Sequence, residues 1–133
     1  HLELNHINID MKIGNEKVFG VDSELEQVIL NIISNSKDAF NDRKIENRSI
    51  KINSLEKGKY TILMIEDNAG GIKEEDIENI FDPYFTTKEY GIGTGLYMVK
   101  LVIKSSFIGD LKLQNTGNGI KFIIAVPNKS LID

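Results

Sequence analysis

Apolar positions recur with two periods along the chain. Ile7, Ile9, Met11 and Ile13 alternate with Asn8, Asp10 and Lys12, which predicts a half-buried strand, and a short second strand is expected over 18–21. The period then lengthens. Leu25, Val28, Ile29, Ile32, Ile33, Ser36 and Phe40 fall on one helical face, and Ser23 with Glu26 fits a capping box, so a helix is predicted over about 23–40. Ile50 and Ile52, the turn Glu56-Lys57-Gly58-Lys59 and the run 60–66 read as a hairpin. Its second strand is apolar on both faces at Ile62, Leu63, Met64 and Ile65, which places it centrally in a sheet. A short acidic helix over about 74–81 should stop at Asp82-Pro83. An irregular stretch and a glycine run lead to a helix over 95–107, with Gly109 at its C-terminal stop. Leu111 and Leu113, the turn Thr116-Gly117-Asn118-Gly119, and Ile120, Phe122, Ile124 and Val126 make a closing hairpin. The order β-β-α-β-β-α-α-β-β predicts an α+β fold: a two-layer sandwich of about five mixed, mostly antiparallel strands with three helices on one face.

Composition narrows the chemistry more than the fold. At 133 residues the chain is expected to be a single domain over 1–133. A net charge of -4 gives no electrostatic case for nucleic acid as a partner. There is no cysteine, and His1 and His6 are the only histidines, which excludes a thiolate nucleophile and a Cys- or His-rich metal site. No apolar run approaches the roughly 20 residues that cross a bilayer. A cytoplasmic setting without membrane contact is therefore expected for this fragment, with any anchor elsewhere in the parent protein.

Four stretches carry candidate chemistry. On the first helix Asn31, Asn35 and Asp38 stand at i, i+4 and i+7, one stripe on the flank of the apolar face. An Asn at such an edge offers a neutral carbonyl oxygen to a hard cation that keeps its waters and is otherwise held by substrate phosphates, a description that suits Mg²⁺. Two Asn there could equally hydrogen-bond a neighbouring loop. Asp67, at the end of the central strand, is followed by Asn68-Ala69-Gly70-Gly71 and can accept from an exocyclic amine such as that of adenine, or merely cap its own turn. Phe81, Pro83 and Phe85 precede Thr86, Thr87 and Lys88, hydroxyls and a cation suited to a lid over phosphates or to a loop pinned by phenylalanines. Gly91-Ile92-Gly93-Thr94-Gly95-Leu96 opens onto a helix, where backbone N–H groups attract an anion. It lacks the Gly-Lys-Ser/Thr ending of a P-loop and the preceding strand of a dinucleotide fingerprint.

Taken in order, Asn31-Ile32-Ile33-Ser34-Asn35, Asp67-Asn68-Ala69-Gly70-Gly71-Ile72, Phe81-Asp82-Pro83-Tyr84-Phe85-Thr86-Thr87-Lys88 and the glycine run resemble the N, G1, F and G2 boxes of the sensor histidine kinase catalytic domain. The segment Asn-Ser-Lys-Asp-Ala is similar to the branch of nitrogen-regulation sensors. The resemblance implies the Bergerat ATP-binding fold, with ATP and Mg²⁺ as ligands and transfer of the γ-phosphate to a histidine on a separate dimerisation domain. A response regulator would be served indirectly, and the fragment alone would be monomeric.

The same resemblance implies the site. Asn35 would be the magnesium ligand and Asp67 the adenine acceptor, with Ala69, Gly71, Ile72 and Phe81 around the base. Asp38 would lie near the phosphates, Thr86, Thr87 and Lys88 would belong to the lid, and Gly91, Gly93, Thr94, Gly95 and Leu96 would face the phosphates. Asn31 stands where related ATPases carry a glutamate that activates water, and an amide cannot take that proton near neutral pH. Catalysis would then rest on Asn31, Asn35 and Lys88. Asp38 stands where many histidine kinases carry a basic residue, and neither histidine sits in an acceptor-type helical setting. The rival readings are an ATPase or anti-sigma-type serine kinase of the same fold, and a nucleotide-binding module without chemistry.

Overall fold

The computed structural model describes residues 7–14, 22–83 and 95–128. The elements are β1 (Asn8–Lys12), α1 (Asp22–Asp42), β2 (Ser49–Lys57), β3 (Tyr60–Asp67), α2 (Glu74–Ile77), α3 (Gly95–Ser105), β4 (Asp110–Asn115) and β5 (Ile120–Pro127). The strand expected over 18–21 falls outside the described residues. The sheet runs β1-β2-β3-β5-β4, with β1 parallel to β2 and the other pairs antiparallel. This is the mixed five-stranded α+β sandwich that the order of patterns implies, and β3 is its central strand.

One face of the sheet supplies the core. Ile50, Ile52, Leu63, Ile65, Phe122 and Ile124 are buried there, against Val28, Ile32 and Phe40 of α1 and Leu96, Val99 and Ile103 of α3. Alternate positions on β3 and β5, including Ile62, Met64 and Ile123, point to the other face and stay half-exposed. The two-sided apolar run that marked β3 as central thus has one side packed and one side uncovered among the described residues. An open depression of about 540 Å³ on the uncovered face, lined by Tyr60, Ile62, Ile108 and Ala125, contains none of the four candidate stretches. At its rim Lys104 bonds Asp110 at 2.8 Å. That hydrogen bond, aided by the Leu111 amide, holds the Asp110 carboxyl below the ordinary carboxylate range.

Three local differences from the sequence patterns have physical causes. α2 is a single turn, and contacts from Asn79 N–H to the Asp76 carbonyl (3.0 Å) and Asp82 N–H to the Asn79 carbonyl (2.9 Å) follow it instead of helix. Four acidic residues within 74–78 and Pro83 just beyond favour neither propagation nor continuation. α3 ends at Ser105, and the left-handed residue after it is Ile108 (φ 53°), not Gly109. Gly109 is required by crowding, since a Cβ there would lie 2.3 Å from the Ala125 carbonyl oxygen.

α1 closes with Lys44 left-handed (φ 54°), the Ile45 N–H on the Phe40 carbonyl (3.0 Å) and the Lys44 N–H on the Asn41 carbonyl (3.3 Å). This is a Schellman cap with an L side chain where glycine is favoured. Lys44→Gly should stabilise the fold by about 0.5–1 kcal/mol, the left-handed cost less the extra chain entropy of glycine. A rise in the thermal midpoint would show it; a fall would mean that the Lys44 side chain holds the cap.

Candidate functional site

Asp67 is the last residue of β3 and is 4 % exposed, the one carboxylate among the buried described residues. A carboxylate so placed needs donors. It has three: the Ser36 hydroxyl donates to Oδ2 at 2.5 Å, and the backbone N–H groups of Ala69 (3.1 Å) and Ile120 (3.2 Å) donate to Oδ1. They come from α1, from the loop after β3 and from the start of β5, so the three elements converge on one side chain. Asp67 does cap its own turn through Ala69, and it also joins β3 to α1 and β5.

The loop from Asp67 to Ile72 is tied down almost residue by residue. Asn68 continues the β2–β3 ladder with its side chain, accepting from Ser49 N–H at 2.8 Å and donating to the Asn47 carbonyl at 2.6 Å. The Ala69 carbonyl accepts from Arg43 Nη1 (2.8 Å), and Gly70 N–H donates to the Asn118 carbonyl (2.9 Å). Asn115, the last residue of β4, uses its side-chain amide as a backbone mimic: its Oδ1 accepts from Ile72 N–H and its Nδ2 donates to the Ile72 carbonyl, both at 2.8 Å. The same Nδ2 also donates to Glu74.

The glycines of this loop serve different ends. Gly70 has φ 90°, a conformation that an L side chain strains to adopt. Gly71 is needed for approach, and the approaching group is protein: a Cβ there would lie 2.7 Å from Asn115 Oδ1.

On α1, Asn31, Asn35 and Asp38 are all half-buried, as a stripe on the flank of the packed face should be. Gln27 Nε2 donates to Asn31 Oδ1 at 3.0 Å, so the Asn31 amide oxygen is already engaged within α1. Ser36, next to Asn35 in the chain, reaches Asp67, so the amide-bearing stretch of α1 and the end of β3 are brought together. Phe81 packs edge-on against Phe122 of β5, ring centroids 6.3 Å apart. That places the third stretch on the same core. Leu96 is buried in that core, while a Cβ on Gly95, the first residue of α3, would meet nothing within 4 Å among the described residues. Of the remaining expected residues, Ala69 is buried and Ile72 packs against the core, whereas Thr86, Thr87, Lys88, Gly91, Gly93 and Thr94 lie outside the described residues.

Comparison with known proteins gives this arrangement its context. Residues 20–130 match the model of the histidine kinase-, DNA gyrase B- and HSP90-like ATPases. The chain belongs to that family. It is 36 % identical over 115 residues to the two-component sensor PprA of Pseudomonas aeruginosa, covering 83 % of this chain and 12 % of that relative. The catalytic domain of histidine kinase ThkA, in a nucleotide-free form, superposes with a TM-score of 0.80 at 31 % identity, over 94 % of this chain and 80 % of that one. ThkA in complex with the response regulator TrrA also matches, with a TM-score of 0.74 at 28 % identity over 95 % of this chain and 35 % of that one. The fold is thus that of histidine kinase catalytic domains, and the chain spans a small part of the curated relative's length.

Three residues around the Asp67 loop carry no signal in the sequence pattern. Ser36 reads as one more position on the packed face of α1, Asn115 as the end of a strand, and Gly119 as part of a turn. Only the fold brings them to the Asp67 loop. Asn115→Ala removes both bonds to Ile72 and should cost about 1–2 kcal/mol, since the freed backbone groups are only partly buried and find water. A urea midpoint unchanged from the parent chain would show that the Gly71–Ile72 segment is held by packing instead.

Proposed function

We propose that this domain binds ATP with Mg²⁺ between α1, the Asp67–Ile72 loop and the start of α3. It then passes the γ-phosphate to a histidine on a separate dimerisation domain of the parent protein, from which a response regulator is served. The observation that carries this reading is Asp67. A buried carboxylate at the end of the central strand, held by three donors beside an amide-bearing helix, is what recognition of an exocyclic amine requires.

The residues fit a magnesium ion. No group of three or more His, Cys, Asp or Glu side chains among the described residues could cage a cation by itself. Asn35 offers one neutral amide oxygen, the donor set for an ion held mainly by water and phosphate oxygens. When bound, Mg²⁺ neutralises charge on the transferring phosphoryl group. Asn35 would hold it, Asp67 would orient the base, and the N–H groups opening α3 would face the phosphates, with no described residue outside α3 within 4 Å of a Cβ on Gly95. Asn31 cannot act as a base toward water. The chain therefore positions ATP for an external imidazole nucleophile and does not promote hydrolysis. Thr86, Thr87 and Lys88 are assigned to the lid, Gly91, Gly93 and Thr94 to the phosphates, and Asp38 to their neighbourhood, all by resemblance.

No helix among the described residues is long and apolar enough to cross a membrane. The domain is proposed to work as a monomeric module on the cytoplasmic side of its parent.

The test uses γ-labelled ATP and Mg²⁺ with this chain, alone and with the histidine-bearing domain of its parent. The expected result is no label on the chain alone and label on histidine when the second domain is added. Label released as inorganic phosphate, or found on a serine, would assign an ATPase or a serine kinase of the same fold; binding with no transfer would assign a nucleotide-sensing module.

A further inference from the structure

Ser36 is 1 % exposed, on the packed face of α1. A serine inside a helix ordinarily turns its hydroxyl back to the carbonyl one turn earlier or out to water. Here the hydroxyl crosses to another element and donates to Oδ2 of Asp67 at 2.5 Å, 31 positions away. An apolar residue would satisfy the α1 pattern at this position, so the hydroxyl is not explained by packing.

What the hydroxyl does follows from counting acceptor positions. An ionised carboxylate has about four lone-pair sites. On Asp67 the Ala69 and Ile120 N–H groups occupy Oδ1, and Ser36 occupies one side of Oδ2. That leaves one acceptor position, on Oδ2. The two backbone donors belong to different elements and the third to α1, so the carboxylate cannot rotate to offer a second oxygen.

We propose that Ser36 is a positioning residue for base recognition: by pinning Oδ2 it aims the one acceptor position that the backbone donors leave on Asp67, so that the carboxylate reads a single N–H of a 6-amino group. A single free acceptor matches one N–H of an exocyclic amine. Guanine presents N1–H and N2–H side by side, a pair that needs two carboxylate oxygens, and Oδ1 is committed to the backbone. Ser36 acts through Asp67, to whose Oδ2 its hydroxyl donates. Its neighbour Asn35 holds the metal in the reading above, so one turn of α1 would register base and metal together.

The inference rests on the ATP-binding reading, and the experiment separates the two. Binding of ATP, of the purine riboside triphosphate that lacks the 6-amino group, and of GTP, each with Mg²⁺, is measured by calorimetry for the parent chain, Ser36→Ala and Ser36→Cys. Thermal midpoints are measured alongside. The parent chain should prefer ATP over the amine-less analogue by about tenfold or more, the worth of one well-held hydrogen bond to a charged acceptor. Ser36→Ala should bring that ratio down to about threefold or less while the affinities of the analogue and of GTP are unchanged, because Oδ1 keeps its two backbone donors. Ser36→Cys keeps the volume with a weak donor and should fall between; it carries the comparison if the alanine variant melts below the assay temperature. Equal weakening of ATP and the amine-less analogue would make Ser36 structural support only and overturn the proposal, as would an unchanged ratio. A parent chain that binds none of the three would overturn the ATP-binding reading itself, and this inference with it.

Discussion

Asp67→Asn should lower ATP affinity about 100-fold while leaving a folded domain. The asymmetry comes from which oxygen faces which donor. Asparagine can keep an oxygen at the Oδ1 position, where the Ala69 and Ile120 N–H groups donate at 3.1 and 3.2 Å. Its NH₂ then replaces Oδ2 and meets Ser36 Oγ, previously the donor at 2.5 Å. A hydroxyl can rotate and accept, so the buried contact survives with its direction reversed, at a cost of about 1 kcal/mol in stability. The ligand has no such freedom. The position proposed for the ligand now presents an N–H to an amine that also presents N–H, and a charge-assisted bond becomes a donor–donor clash. Calorimetry with Mg-ATP, paired with a urea melt, reads both halves. Affinity within threefold of the parent chain would remove Asp67 as the base reader; loss of the folded state would mean that the charge of Asp67 is needed to hold β3, α1 and β5 together.

That asymmetry also marks where the sequence alone stops being informative. Periodicity found β3 and both long helices because the period of an element is a property of consecutive residues. Asp67 stands out for the same local reason: a carboxylate at the end of the strand carrying Ile62-Leu63-Met64-Ile65 is followed at once by the break Asn68-Ala69-Gly70-Gly71. Ser36 is different. Its hydroxyl fits α1 by spacing alone, and its partner is 31 positions away, a separation that no local pattern encodes. Asn115 is hidden in the same way, since its amide copies a backbone pair with Ile72, 43 positions earlier. Gly109 and Gly71 were read from turn chemistry and from approach to a base, yet the atoms that exclude a side chain there are the Ala125 carbonyl oxygen and Asn115 Oδ1. The glycine requirement was legible, and its cause was not.

Gly119 carries this furthest. Asn118-Gly119 follows Thr116-Gly117 in what reads as an interchangeable tight turn, but the two glycines differ in kind. Gly117 has φ 93° and an added Cβ would meet nothing within 4 Å among the described residues, so Gly117→Ala carries the left-handed backbone cost of about 1–2 kcal/mol. At Gly119 a Cβ would lie 1.8 Å from the Asp67 carbonyl oxygen and 2.8 Å from Asp67 Oδ1. Neither can move away. The carbonyl belongs to the central strand, and Oδ1 is held by Ala69 and by Ile120, the residue next to the substitution. Relief requires the β4–β5 hairpin to lift off the end of β3, which breaks the Ile120 bond to Asp67 and the Gly70 N–H bond to the Asn118 carbonyl. Gly119→Ala should therefore destabilise the domain by about 3 kcal/mol or more, the upper range for overpacking against rigid neighbours. What remains folded should bind ATP poorly, because Asp67 has lost one of its backbone donors. Urea midpoints for the two alanine variants test this within one turn: Gly119→Ala should fall well below Gly117→Ala, and equal midpoints would mean that the hairpin tip yields and does not brace the Asp67 loop.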